Sequence, residues 1–161
     1  MHDHPALALI TPDDQVHQII PNHPFTVLGL DFGLAYIGLA IGSSITQIST
    51  PLVSLRAHQG QPNWSELDRW IHDYHPALII VGLPTMMDGT PQAITFRTLD
   101  FITELKPRYA LPICTTDERL TTVAAREQLF DQYGQKGLTR DQVNAFSAKI
   151  IVEQWLAHHL P

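Results

Sequence analysis

Residues 26–42 read TVLGLDFGLAYIGLAIG, and this stretch decides the fold. Positions 26–32 have the composition of a buried strand with one charge, Asp31, near its end. An unpartnered buried carboxylate is very costly, so such a group is kept wet, paired or bound to a cation. Gly33 follows and permits a tight turn with close backbone approach. Residues 36–41 then form a second strand interrupted by Gly38. The hairpin therefore presents one carboxylate at a turn. Taken alone, it also fits an Asp that caps its own turn.

Working outward, residues 46–55 read as a third strand, and Pro51 within them marks an edge. A polar loop is expected over 57–62. Asn63 caps a helix to about residue 74, with Trp64, Leu67, Trp70 and Ile71 on one face. ALIIV at 77–81 is a short apolar run suited to a strand covered on both faces. The loop 82–90 carries Asp-Gly turn chemistry, and Pro91 opens a helix expected to reach about Lys106. Residues 111–115 form a fifth strand running into Asp117 and Glu118. A helix from Thr121 or Thr122 to about Phe130 follows, then the polar loop DQYGQKGL at 131–138. Thr139 with Gln142 makes a capping box for a last helix to about His159.

The order β-β-β-α-β-α-β-α-α predicts an α/β fold. It has a five-stranded mixed sheet, a three-stranded antiparallel start and then parallel strands, with helices on both faces. Residues 1–24 are expected to form an N-terminal extension, a short helix or loose tail without part in the chemistry. Residues 25–161 are expected to form a single domain. The leader histidines His2, His4, His17 and His23 lack a recognised metal spacing. His72 and His75 suit a helix C-terminus better than a metal pair.

The 161 residues carry a formal net charge of -6, which argues against a broadly basic nucleic-acid surface. The charge is uneven, however. Up to residue 96 the only bases are Arg56 and Arg69, whereas Arg97, Lys106, Arg108, Arg119, Arg126, Lys136, Arg140 and Lys149 follow. A polyanion is thus expected to meet the C-terminal part. The lone Cys114 excludes an internal disulfide. No apolar run approaches the roughly 20 residues of a membrane span, and no basic leader of a secretory signal is seen. A cytoplasmic location is expected.

Acids recur where strands end: Asp31, then Asp88, then Asp117 and Glu118, with Asp141 at the start of the last helix. Ligands of open α/β sheets bind at the carboxyl ends of strands. Two bare carboxylates about 4 Å apart repel by roughly 4 kcal/mol at an effective dielectric of 20, so a cluster wants a cation. All-oxygen donors suit Mg²⁺ or Mn²⁺, the ions of phosphodiester hydrolysis. The competing reading of Asp117 and Glu118 is a pair with Arg119 or a helix cap.

GLDFG at 29–33, IGLAIG at 37–42, VGLP and MDGT within 81–90, and DERLTTVAAREQL at 117–129 together resemble the YqgF family. These are Holliday-junction-resolvase-like proteins named as pre-16S rRNA nucleases. The resemblance spans about residues 26–160. It implies an RNase H-like fold, a divalent-metal site and maturation of the 5′ end of small-subunit ribosomal RNA. It also implies Asp31 and Glu118 as catalytic metal ligands and Arg97 and Arg119 as basic positions. Arg126, Lys136 and Arg140 lie near in sequence and are expected to hold phosphates.

Three departures stand out. Ala35 and Tyr36 occupy a place where the family is usually basic. Met86 replaces an amide in the loop before Asp88. Asn144 falls where the family carries an Asp. Asp141, three residues earlier, shares a helix face with Asn144 and is expected to supply the third metal-binding carboxylate. The expected function is a metal-dependent nuclease on structured RNA (pre-16S rRNA) or branched DNA, monomeric or weakly dimeric, with ribosomal particles as further partners. The alternative is a catalytically weakened nucleic-acid or ribosome-assembly binding protein. A sugar- or acetate-kinase-like ATPase needs a second domain for which the chain is too short.

Overall fold

The computed structural model describes residues 3–86, 88–117, 131 and 140–161, with the side chains of Arg140 and Asp141 outside that description. Six strands form one sheet: β1 (Thr26–Asp31), β2 (Tyr36–Ser43), β3 (Ser49–His58), β4 (Gln61–Pro62), β5 (Leu78–Leu83) and β6 (Ile113–Asp117). Their order is β4-β3-β2-β1-β5-β6. β1 to β4 pair antiparallel in sequence order. β5 and β6 run parallel to β1. The helices are α1 (Val16–Ile19), α2 (Trp64–Tyr74), α3 (Ala93–Tyr109) and α4 (Arg140–His159).

The sheet has six strands rather than the expected five. The supposed polar loop at 57–62 is instead a hairpin, with β3 running on to His58 and turning back through Gln59 and Gly60. Both turn residues have positive φ, 52° and 80°, the backbone of a two-residue hairpin turn. A Gln-Gly pair signals that turn less strongly than Asn-Gly, which is why composition hid it. Opposite Pro51 the β2–β3 register shifts between Leu39 and Ala40, so a bulge absorbs the missing donor.

Side chains alternate across the sheet. Leu28, Leu30, Ile37, Leu39, Ile79, Val81 and Ile113 join Leu67 of α2 and Leu99, Ile102 and Leu105 of α3 in one buried cluster. Val27, Ala40, Leu78, Ile80 and Cys114 meet Ala148, Ile151, Val152, Trp155 and Leu156 of α4 on the other face. Fully burying each large aliphatic side chain contributes about 1.5–3 kcal/mol. The fold is thus α/β with helices on both faces, as expected.

Local chemistry sets the helix ends. Asn63 Oδ1 accepts the Ser65 amide at 3.1 Å, and α2 ends on His75 in the left-handed region. The Thr95 hydroxyl accepts the Gln92 amide at 2.8 Å and donates to the Pro84 carbonyl, anchoring α3 to the turn after β5. Pro91 pairs with Thr85 as an isolated bridge, so α3 begins at Ala93 rather than at the proline. It also continues past Lys106 through Pro107 to Tyr109. A proline so near the end forfeits one bond of the last turn, while Ala110 caps that turn by donating to the Lys106 carbonyl at 2.9 Å.

α2 and α3 are clasped at the surface. Arg108 donates twice to Asp68, at 2.8 and 2.6 Å, and the Tyr109 hydroxyl donates to the same carboxylate at 2.7 Å. The Arg108 guanidinium also lies 5.1 Å from the Trp64 ring centroid. Chiefly through the Arg108 hydrogen bonds, the Asp68 carboxyl is held at about 2 instead of 3.8. A depressed carboxyl pKa contributes stability above its unfolded value and loses it as pH falls toward the folded value. Tm is therefore expected to fall more steeply between pH 4 and 2 in the wild type than in Asp68→Asn. The pair is solvent-screened, so the difference in Tm loss over that window is about 1–3 °C, measured by thermal melts.

The leader is neither loose nor a single helix. It forms two short 3-10 turns, Pro5–Leu9 and Asp13–Gln15, followed by α1. Ala6 and Val16 are buried in the two cores. Ile10 bridges Ile113 in parallel, and the Thr11 amide donates to the Ile113 carbonyl at 2.8 Å. The leader thus adds to the free edge of β6, a covering that open sheets need.

Candidate active site

The site is set by how closely α4 can lie on β1 and β2. Gly29 and Gly38 face it, and the helix occupies the space their side chains would take, with its backbone at Gly38 and with the Val152 side chain at Gly29. A Cβ on Gly38 would overlap the Asn144 carbonyl oxygen, and one on Gly29 would overlap Val152 and sit 3.2 Å from the Ala148 carbonyl oxygen. A Cβ on Gly42 would overlap Val152 in turn. Residues 144, 148, 152 and 156 form one i+4 stripe of the helix. Asn144 therefore lies over Gly38, and Leu156 lies at the far end, by Gly42.

Gly38 pairs with Asp31 in the ladder. Asp31 shares the α4-facing side of β1 with Val27 and Gly29, by strand alternation and the clusters on each face. It is 3% exposed. A buried carboxylate thus sits beside Asn144, at the carboxyl end of the first strand. Asp141 is three residues nearer the helix start, one turn further out over the rim. The same end of the sheet carries Thr116, which pairs with Gly82, and Asp117, the last residue of β6.

Of the expected site residues, the structure brings Asp31 and Asn144 together. It puts the backbone of Asp141 and Arg140 in the first turn of α4. Glu118, Arg119, Arg126 and Lys136 lie outside the described residues, as does the helix expected after Thr121 or Thr122. Arg97 lies on α3, across the sheet from the Asp31 carboxylate. Its guanidinium donates to the Gln59 carbonyl at 2.8 Å, tying α3 to the β3–β4 turn. Asp88 accepts from the Thr90 amide at 3.0 Å and from its hydroxyl at 2.7 Å, so it closes its own turn. Asp117 accepts from the Thr85 hydroxyl at 3.4 Å.

Two features were not legible from motifs. The Thr116 hydroxyl is buried without a hydrogen-bond partner among the described residues. It lines a cavity of about 420 Å³ with Ile10, Thr11, Asp13, Thr85 and Asp117, between the leader and the ends of β5 and β6. The second is the meeting of Asp13 with His158 and His159. Neither has a sequence signature, because both depend on the leader folding back across the sheet.

The family described as "RuvX: Holliday junction resolvase" matches residues 25–158. The chain belongs to this family. Among RuvX-family relatives, the "Putative pre-16S rRNA nuclease" of Shewanella oneidensis is 46% identical over 134 residues, 83% of this chain and 95% of that protein. The protein of the same name from Proteus mirabilis is 45% identical over 130 residues, 81% of this chain and 94% of the relative. Among solved structures, the Fowlpox virus resolvase with Holliday junction DNA aligns with a TM-score of 0.49 at 12% identity, over 81% of this chain and 98% of that one. Residues 1–24 precede the matched residues.

Proposed function

We propose that this chain is a divalent-metal-dependent endonuclease that hydrolyses phosphodiester bonds at the 5′ end of precursor 16S ribosomal RNA. The observation that carries the reading is Asp31. It is a carboxylate 3% exposed, at the rim where parallel strands end, facing the first turns of α4. The printed names of the relatives support a ribosomal RNA substrate, and the family's description makes branched DNA the comparison substrate. Among the described residues no helix is long and apolar enough to cross a membrane, in keeping with work on ribosomal particles in the cytoplasm.

The donor set is all oxygen, which fits Mg²⁺ or Mn²⁺ better than softer ions. Asp31, Glu118 and Asp141 would hold the ion. Bound there, it would supply Lewis acidity to the phosphate and make its water a better nucleophile. The chain supplies the rest. Packing on both faces of β1 holds in place the strand that carries Asp31. Asn144 offers an amide oxygen but no charge. Arg119, Arg126, Lys136 and Arg140 would supply the cations for substrate phosphates, whereas Arg97, on the other face of the sheet and bonded to the Gln59 carbonyl, takes no part there.

Asn144 favours one competing reading, a protein that binds the same RNA without cutting it. Cleavage of a precursor 16S RNA fragment and of a four-way DNA junction, titrated with Mg²⁺ and Mn²⁺, separates the two. Wild type is expected to cut the RNA, and Asp141→Ala to lose about 10²-fold or more in rate. Asn144→Asp is expected to tighten metal binding while cutting continues. Inert wild type with activity restored by Asn144→Asp would establish the binding-protein reading instead.

A further inference from the structure

We propose that Asp13, His158 and His159 form a second metal site, for a borderline transition ion such as Zn²⁺, that staples the leader to the end of α4. One ligand atom from each of these residues lies within 4.8 Å of the others. Asp13 Oδ1 and His159 Nε2 are 3.7 Å apart. That is too long for a hydrogen bond and close to the ~3.4 Å edge of a tetrahedral site with Zn–N and Zn–O bonds of about 2.0–2.1 Å. Side-chain rotation of the exposed His158 and Asp13 closes the remaining gap.

The surroundings favour a metal over a plain ion pair. The His159 side chain is 10% exposed and its ring packs 4.8 Å from that of Trp155. The His158 ring meets the His159 ring edge-on at 4.6 Å, so the two imidazoles converge rather than diverge. A cavity of about 300 Å³ lies beside them, lined also by Thr116 and Gln154. It leaves room for a fourth, water ligand. Two imidazole nitrogens and one carboxylate oxygen are a donor set for Zn²⁺, Ni²⁺, Co²⁺ or Cu²⁺ rather than Mg²⁺.

The site joins two parts of the chain that the RuvX match does not join. Asp13 precedes the matched residues and His159 follows them. The 3-10 turn bearing Asp13 is already delivered to α4 by Val16, which is buried among Ile151, Trp155 and Leu156. Metal there ties the leader to the helix whose opposite end overhangs Asp31.

The test uses the full chain, stripped with chelator and titrated with Zn²⁺ by calorimetry. One equivalent is expected to bind, with Tm raised by about 5–10 °C at a hundredfold excess over Kd. Mg²⁺ binding, expected at the Asp31 site, should be unchanged in Asp13→Asn and His158→Ala. Co²⁺ should develop the visible absorbance of a nitrogen-ligated ion. Asp13→Asn and His158→Ala, both at exposed positions, are each expected to weaken Zn²⁺ binding about tenfold or more. His72→Ala, in the other close histidine pair, leaves it unchanged. No saturable Zn²⁺ binding, binding untouched by Asp13→Asn and His158→Ala, or binding lost in His72→Ala would each overturn the proposal.

Discussion

Asp31→Asn is expected to lower metal-dependent RNA cleavage by about 10²–10³-fold or more while leaving the protein folded. The exchange keeps shape and volume, so the packing of β1 between α4 and the opposite core survives. It removes an acid that is 3% exposed. Burying the charged form of an acid is costly, and a bound cation offsets that cost. Cleavage rate, Mg²⁺ affinity and Tm in metal-free buffer are the measurements. Activity and metal affinity should fall together, with Tm within a few degrees of wild type. A fall in Tm with unchanged metal affinity would make Asp31 a cap for its own turn.

Gly38→Val is expected to be the most damaging single substitution in the α4 interface. Even the first added carbon overlaps a backbone carbonyl oxygen, that of Asn144. A side chain can rotate away, but a helix backbone moves only as a body. Overpacking typically costs about 1–3 kcal/mol, and an immovable neighbour puts this case at the upper end. For a chain of this length that corresponds to a Tm loss of about 6–12 °C. Cleavage should fall too, because the first turns of α4 would be lifted from Asp31. Gly38→Ala should show the same effects at smaller amplitude. Equal Tm for Gly38→Val and wild type, measured by calorimetry, would contradict the close approach of helix and sheet.

Much of this was legible from particular residues. The run 26–42 announced a hairpin because an apolar strand, a glycine turn and a second apolar strand have few other uses. ALIIV at 77–81 announced a strand covered twice, and Asn63 announced its helix through a cap that forms as expected. The antiparallel start and the parallel strands after it followed, while the order of the strands came only with the structure. Misjudged elements were those where a distant partner overrides local preference. β4 is two residues long and exists only because β3 is there to pair with. α3 runs through Pro107 because its packed face continues past the proline. The leader, weak by itself, is ordered by the edge of β6 and the end of α4.

The candidate site divides in the same way. Asp31 was identifiable because a single acid in a buried strand demands a reason. Gly38 had no evident reason beyond weakening its strand until the Asn144 carbonyl was seen to fill its place. Composition and motif by themselves determined the α/β class, the RuvX family and the acids worth testing, because strand alternation, caps and turn glycines are read over a few neighbouring residues. Only the tertiary structure decided which face Asp31 occupies, that α4 touches the sheet through its backbone, and that Asp13 meets His158 and His159. Those are relations between segments more than a hundred residues apart, and nothing in local sequence chemistry acts over that separation until the core brings the segments together.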